Sequence, residues 1–141
     1  MWVITRHRVS GSEELSRSDP SGGPTWLNAA SAALSVLAEQ PGYCGGWVGR
    51  ALDRAEAGVL ATEWDSVGSY RRALSTYDVK LRAWPFLATA LDEPSAYETL
   101  HTHGPEGLGL DVPSLRADDA DVVALRRDRG AGESGAGGSA G

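Results

Sequence analysis

Cysteine occurs once in these 141 residues, as Cys44, and lysine once, as Lys80. A single thiol closes no intramolecular disulfide and supplies neither a redox pair nor a thiolate zinc site within one chain, which fits a reducing cytoplasm. Cys44 has no charged sequence neighbour to lower its pKa, so a buried structural thiol is expected rather than a nucleophile. Positive charge is also scarce: 13 basic against 19 acidic side chains leave a formal charge of −6. A surface that tracks phosphates needs clustered Lys and Arg, so no nucleic-acid partner is expected. Long apolar runs are missing as well. The longest uncharged stretch, Pro20 to Ala38, is broken by prolines, glycines, serines and an asparagine, which makes a poor membrane span. At the N-terminus the short apolar group Trp2 to Ile4 precedes Arg6 and Arg8, the reverse of a signal peptide. The expectation is a soluble, cytoplasmic protein without a membrane partner.

What the chain has in excess is glycine, 18 residues, about twice the usual share of roughly 7%. Half of it falls in two segments, 10–24 and 130–141. Such segments bury too little apolar surface to offset the entropy of ordering them. The first is expected to be a flexible loop, and residues 102–141 an acidic, Gly-rich, disordered tail. All five tryptophans and all four tyrosines lie between Trp2 and Tyr97, so one folded domain is expected over residues 1–101.

Within that domain Trp2 to Val9 alternates and is β-branched, with Val3, Thr5, His7 and Val9 on one side: a strand. Trp26, Leu27, Ala30, Ala33, Leu34 and Leu37 recur at helical spacing until Pro41-Gly42 stops them. Tyr43 to Arg50 and Gly58 to Asp65 read as two strands of a long-looped hairpin. Asp65 or Ser66 can cap a second helix, along which Tyr70, Leu74, Tyr77 and Leu81 mark a stripe; Pro85 interrupts it, and a short helical piece follows from Phe86. Ser95 to His101 reads as a last strand. The order βαββαβ predicts an α+β, ferredoxin-like fold: a four-stranded antiparallel sheet with helices on one face only. The uncovered face predicts a homodimer joined sheet to sheet.

The run Leu37-Ala38-Glu39-Gln40-Pro41-Gly42-Tyr43, then Gly45-Gly46-Trp47-Val48-Gly49-Arg50, then Thr62-Glu63-Trp64-Asp65-Ser66 leading into the second helix resembles the antibiotic biosynthesis monooxygenase family of dimeric α/β-barrel proteins, over Trp2 to about Leu100. The resemblance implies a cofactor-independent monooxygenase that oxidises an aromatic or polyketide-type small molecule with O2 in a pocket between sheet and helices. It places Trp64 as the strand-3 tryptophan lining that pocket. The family also contains haem-degrading enzymes, in which a helix-2 histidine ligates haem and strand 1 carries an asparagine. Here the helix-2 positions hold Ala73 and Asp78 and the strand-1 position holds His7, which disfavours haem. A non-catalytic dimeric ligand-binding or accessory protein of the same fold is the alternative.

Cofactor-free oxygenation asks for a dry pocket, a group that takes the substrate proton and donors that steady the resulting anion. His7, with an ordinary pKa of about 6.5, is the candidate base; the competing reading is a half-buried strand histidine bonded to a neighbour. Trp64 is the candidate wall, or a core filler. Asn28 on the first helix and Tyr77 and Asp78 on the second are the candidate substrate-binding residues, although Asp78 with Arg71, Arg72, Lys80 and Arg82 also fits a solvated helix face. No cofactor is expected. His101-Thr102-His103 lacks the three or four ligands of a stable metal site, so no metal is expected either. Gly45, Gly46 and Gly49 lack the Lys-Ser/Thr and the following helix of a phosphate loop, and predict a bulge or close backbone approach instead.

Overall fold

A computed structural model describes residues 1–9, 25–107 and 109–113. The loop expected at 10–24 and the tail beyond 113 lie outside the described residues. The chain divides into two units, Met1–Thr99 and Leu100–Gly141. In the first, β1 (Trp2–Arg8), α1 (Trp26–Ala38), β2 (Tyr43–Arg50), β3 (Ala57–Trp64), α2 (Val67–Ser75), a π-helical turn (Val79–Ala83), α3 (Trp84–Leu87) and β4 (Ala96–Tyr97) follow one another. The strands form one antiparallel sheet in the order β2-β3-β1-β4. This is the ferredoxin-like α+β fold. The described part of the second unit holds a hairpin of β5 (His101–His103) and β6 (Gly109–Asp111). Among the described residues no helix is long and apolar enough to cross a membrane.

The alternation of β1 sets which side of the sheet is covered. Val3, Thr5, His7 and Val9 are buried while Arg6 and Arg8 are exposed. On β3 the matching face carries Gly58, Leu60, Thr62 and Trp64, all buried, and the register pairs His7 with Gly58 and Thr5 with Leu60. Against this face pack Ala30, Ala33, Val36 and Leu37 of α1 and Ala73, Val79, Ala83 and Phe86 of the second helical layer. Thr25 caps α1 by accepting from the Asn28 amide, and Ser66 caps α2 by accepting from the Ser69 amide, so each first turn has one of its free donors satisfied. After α1, Gly42 takes φ +86°, and a Cβ there would lie 2.4 Å from Ser69 Cβ. Only glycine lets this turn close against the start of α2. The glycine-rich β2 carries a register shift between Tyr43 and Gly45, the bulge its sequence predicts.

Three local expectations need correction. Tyr77 and Leu81 do not continue the buried stripe of α2: they are 76% and 57% exposed. The backbone breaks at Thr76 (ψ 151°), where the cap ends α2, and Val79, Ala83 and Phe86 take the inward positions. The π turn has its own cause in the sequence. Pro85 has no N–H and crowds the carbonyl four residues back, and the Trp84 amide instead bonds to the Val79 carbonyl, five residues back. Cys44 is exposed rather than buried, because it sits beside the β2 bulge. The last strand is only Ala96–Tyr97, paired with Trp2 and Val3. Further along the same edge of β1, Ile4 and Arg6 bond instead to Ser95 and Leu91 of the irregular chain before β4, and from Leu100 the backbone bonds belong to the hairpin unit.

Candidate active site

His7 is held by two hydroxyls. It is 2% exposed, with Nε2 2.9 Å from Thr5 Oγ1 and Nδ1 3.0 Å from Thr89 Oγ1. Thr5 shares its side of β1 because the two are two positions apart in the strand; Thr89 follows the end of α3. The Thr89 hydroxyl donates to the Phe86 carbonyl at 2.8 Å, so its oxygen is free to accept from His7 Nδ1–H, and the Thr5 hydroxyl then donates to Nε2. Burial pushes the imidazole below its ordinary pKa, partly opposed by hydrogen bonding at Thr89. The neutral ring is therefore the resting form near pH 7. The protonated ring also finds acceptors for both N–H groups, because Thr5 Oγ1 lies 3.4 Å from the Leu60 carbonyl and can donate onward to it. Both protonation states thus have complete hydrogen bonding, a requirement for a group that takes and returns a proton in a dry place.

Aromatic rings close over the imidazole. Phe86 stacks on it with centroids 4.4 Å apart and planes at 27°, and Trp26 lies at 6.2 Å, tilted by 59°. Trp26 can approach because its partner on β3 is Gly58, where a Cβ would be 2.4 Å from Trp26 Cζ2. The Trp26 indole N–H is buried and has no acceptor among the described residues. Outside this layer, an open cleft of about 460 Å³ runs between α1 and the π turn with α3, a volume in the range of small-molecule sites. Trp26, Phe86 and Thr89, the residues that touch His7, form part of its wall, with Thr25, Arg8 and Arg82. His7 thus lies one residue layer beneath the cleft and is connected to it through Thr89.

Trp64 occupies the opposite end of the sheet. It is 1% exposed; its Nε1–H donates to Thr62 Oγ1 at 2.9 Å, and its ring meets Tyr43 edge-on at 5.6 Å and Tyr70 at 5.4 Å. Burial raises the pKa of both tyrosines. Gly58 faces His7 and lies six residues from Trp64, which at the rise of an extended strand is about 20 Å. The pocket expected to hold His7 and Trp64 together is not formed in that way. The proposed substrate-binding residues are not brought together with His7 either. Asn28 is exposed on α1, whose wall of the cleft is made by Trp26, Ala29 and Ala32. Tyr77 and Asp78 are exposed after the break in the second helical layer. Among the described residues no three His, Cys, Asp or Glu side chains are grouped so as to hold a metal ion.

Sequence reasoning missed Thr5, Thr89, Trp26 and Phe86 as neighbours of His7, and the arginine pair of the cleft. Thr5 was recoverable from strand alternation. Thr89 and Phe86 were not, since their placement depends on the π turn and on contacts such as His7 with Thr89, 82 residues apart in sequence.

This arrangement of sheet and helices is also found among solved structures. No protein-family model matches the chain, and no curated protein matches it. SnoaB, a cofactor-independent oxygenase from Streptomyces nogalater, superposes with a TM-score of 0.50 at 21% identity, over 70% of this chain and 94% of that one. A point mutant of the same enzyme gives 0.51 at 20% identity, over the same shares. The chain has the fold of SnoaB. A protein from Nitrosomonas europaea, provisionally named an antibiotic biosynthesis monooxygenase, follows with a TM-score of 0.48 at 14% identity, over 82% of this chain and 100% of that one. At these identities the SnoaB likeness speaks for the fold, and function has to be argued from the cleft and from His7.

Proposed function

We propose that the chain is a cofactor-independent monooxygenase acting on an aromatic, polyketide-type small molecule, with the α1–α3 cleft as its binding site and His7 as the proton acceptor. The observation that carries this reading is a buried, neutral imidazole whose Nδ1 partner, Thr89, lines the cleft. In the proposed step the ring takes its Nε2–H tautomer, donating to Thr5 Oγ1, which donates onward to the Leu60 carbonyl, and the Thr89 hydroxyl turns from the Phe86 carbonyl to Nδ1; an acidic C–H or O–H of the bound molecule then gives its proton to Thr89 Oγ1 as the Thr89 proton passes to Nδ1. The electron-rich substrate anion, not a protein group, then reduces dioxygen; one oxygen atom stays on the product and the other leaves as water. Trp26 and Phe86 keep the site apolar, which strengthens every charge interaction inside it.

The open face of the sheet belongs to the same proposal. Trp47 pairs with Ala61, and Ala61 with Ile4, in one row; Trp2 is paired with Tyr97. Trp47 is 50% and Tyr97 46% exposed. A second copy of the chain covering this apolar face makes the homodimer expected from the sequence.

Oxygen uptake with a hydroxyanthrone tests the reaction. His7→Ala should lower turnover by about a hundredfold or more, the usual contribution of general base catalysis, and Thr89→Val should lower it too. Absence of uptake by the wild-type chain, or unchanged turnover in both variants, overturns the reading. The tight packing of Trp64 favours a second reading, a non-catalytic ligand-binding or accessory protein of this fold. It predicts ligand binding without oxygen uptake.

A further inference from the structure

We propose that the α1–α3 cleft selects aromatic ligands that carry an anionic group, a carboxylate above all, and that Arg8 and Arg82 are the residues that hold it. The proposal rests on the cleft being the binding site, but not on any oxygen chemistry there. Among the described arginines of the first unit, Arg6 is matched with Glu93 and Arg54 with Glu56. Arg8 and Arg82 have no carboxylate partner among the described residues, yet they line the same cleft from two different elements, the end of β1 and the π turn. Two guanidinium groups lining one cleft offer an anion charge-assisted hydrogen bonds from both sides.

The rest of the wall specifies what the anion is attached to. Trp26 and Phe86 present their rings with centroids 6.0 Å apart and planes at 56°, an apolar corner suited to a planar ring. Ala29 and Ala32 keep the α1 side shallow. Among the described residues no acidic side chain lines the cleft. The nearby groove of Arg71 and Arg72 differs: its remaining lining residues are Ser75 and Thr76, without an aromatic surface, which makes it a control for charge alone.

Binding of 2-naphthoate and of its neutral analogue 2-naphthamide, followed by calorimetry under nitrogen, separates the possibilities. The acid should bind about tenfold or more tighter than the amide, as expected for charged hydrogen bonds at a half-open site, and the preference should shrink with added salt. Arg8→Gln and Arg82→Gln should each lower naphthoate affinity by about tenfold and leave the amide unchanged, while Arg82→Lys retains part of the preference. Arg71→Gln should change neither ligand. Equal binding of acid and amide, naphthoate affinity unchanged in both cleft variants, or an equal loss in Arg71→Gln overturns the proposal. Because no turnover is involved, a chain that binds the acid but consumes no oxygen refutes the oxygenase reading alone. A chain that turns over substrate without preferring the acid refutes this proposal alone.

Discussion

Replacing Gly58 by alanine places a methyl group where the structure has none to spare. The added Cβ would lie 2.4 Å and 2.6 Å from Trp26 Cζ2 and Cη2, and 2.8 Å from Val9 Cγ2, whereas carbon atoms rest about 3.5–4.0 Å apart. Trp26 must retreat by about 1 Å and Val9 by somewhat less. Val9 is 2% exposed and its amide is held by the Glu56 carbonyl just past β1, so the larger displacement falls on Trp26 at the first turn of α1. Overpacking of this kind costs about 1–3 kcal/mol, which a urea titration reads as a midpoint lower by about 1 M for a domain of this size. The same movement pulls the indole away from the cleft, so naphthoate affinity should fall together with stability. Trp26→Phe removes both clashing atoms. The double variant Gly58→Ala/Trp26→Phe should therefore be more stable than the sum of the single changes by about 1–2 kcal/mol, a coupling typical of residues in contact. If Gly58→Ala unfolds within about 0.5 kcal/mol of the wild type, or the coupling is zero, the account of how Trp26 reaches His7 is wrong.

Burial lowers the His7 pKa, so as pH falls below about 6.5 the unfolded chain takes up a proton that the folded chain refuses. Stability should then fall with pH at up to about 1.4 kcal/mol per unit, until the folded-state pKa is reached. Denaturation of His7→Gln and wild type between about pH 5 and 7 should show this slope in their difference, and parallel curves would refute it. Trp64→Phe should lower stability by about 1–3 kcal/mol yet leave naphthoate affinity unchanged, since Trp64 belongs to the far end of the sheet; a selective loss of binding would return it to the site. Trp47→Glu, a charge on the open sheet face, should give a monomer at micromolar concentration by light scattering if a second copy covers that face, and an unchanged mass would refute the dimer.

Much of the fold is legible in the sequence because its signals are local. The β1 alternation, the Ser66 cap and the Pro41-Gly42 stop each follow from a few neighbouring residues, and each is where the pattern puts it. The misplacements share a different cause. Tyr77 and Leu81 keep helical spacing with Tyr70 and Leu74, but spacing alone does not show that the axis breaks at Thr76 and resumes in a wider turn before Pro85. Cys44 lacks charged neighbours in sequence, which says nothing about a bulge that turns it outward. The candidate site was half legible. Alternation identified His7 as an inward histidine, but its working partners depend on Phe86 and Thr89, brought in by that π turn, and on Gly58, whose missing side chain makes room for Trp26.

The Trp64 end of the first unit has irregularities of its own, the Gly42 turn and the β2 bulge after Tyr43, but a larger group gathers at the other end. At the Trp64 end β4 covers the edge of β1, the amino terminus bonds to the Trp64 carbonyl, and Tyr43 and Tyr70 form an aromatic cluster with the buried Trp64 ring. At the His7 end, about 20 Å away along β3, local rules give way repeatedly: a glycine in a strand interior, a buried histidine, a π turn before a proline, an orphan indole N–H and two unpaired arginines. Each carries a cost that regular packing would avoid. These five converge on one cleft and on the residues that touch His7. Such clustering is expected where stability is exchanged for a site. It makes the two ends separable: substitutions near Trp64 should be read out in folding, and substitutions around the cleft in binding and proton transfer.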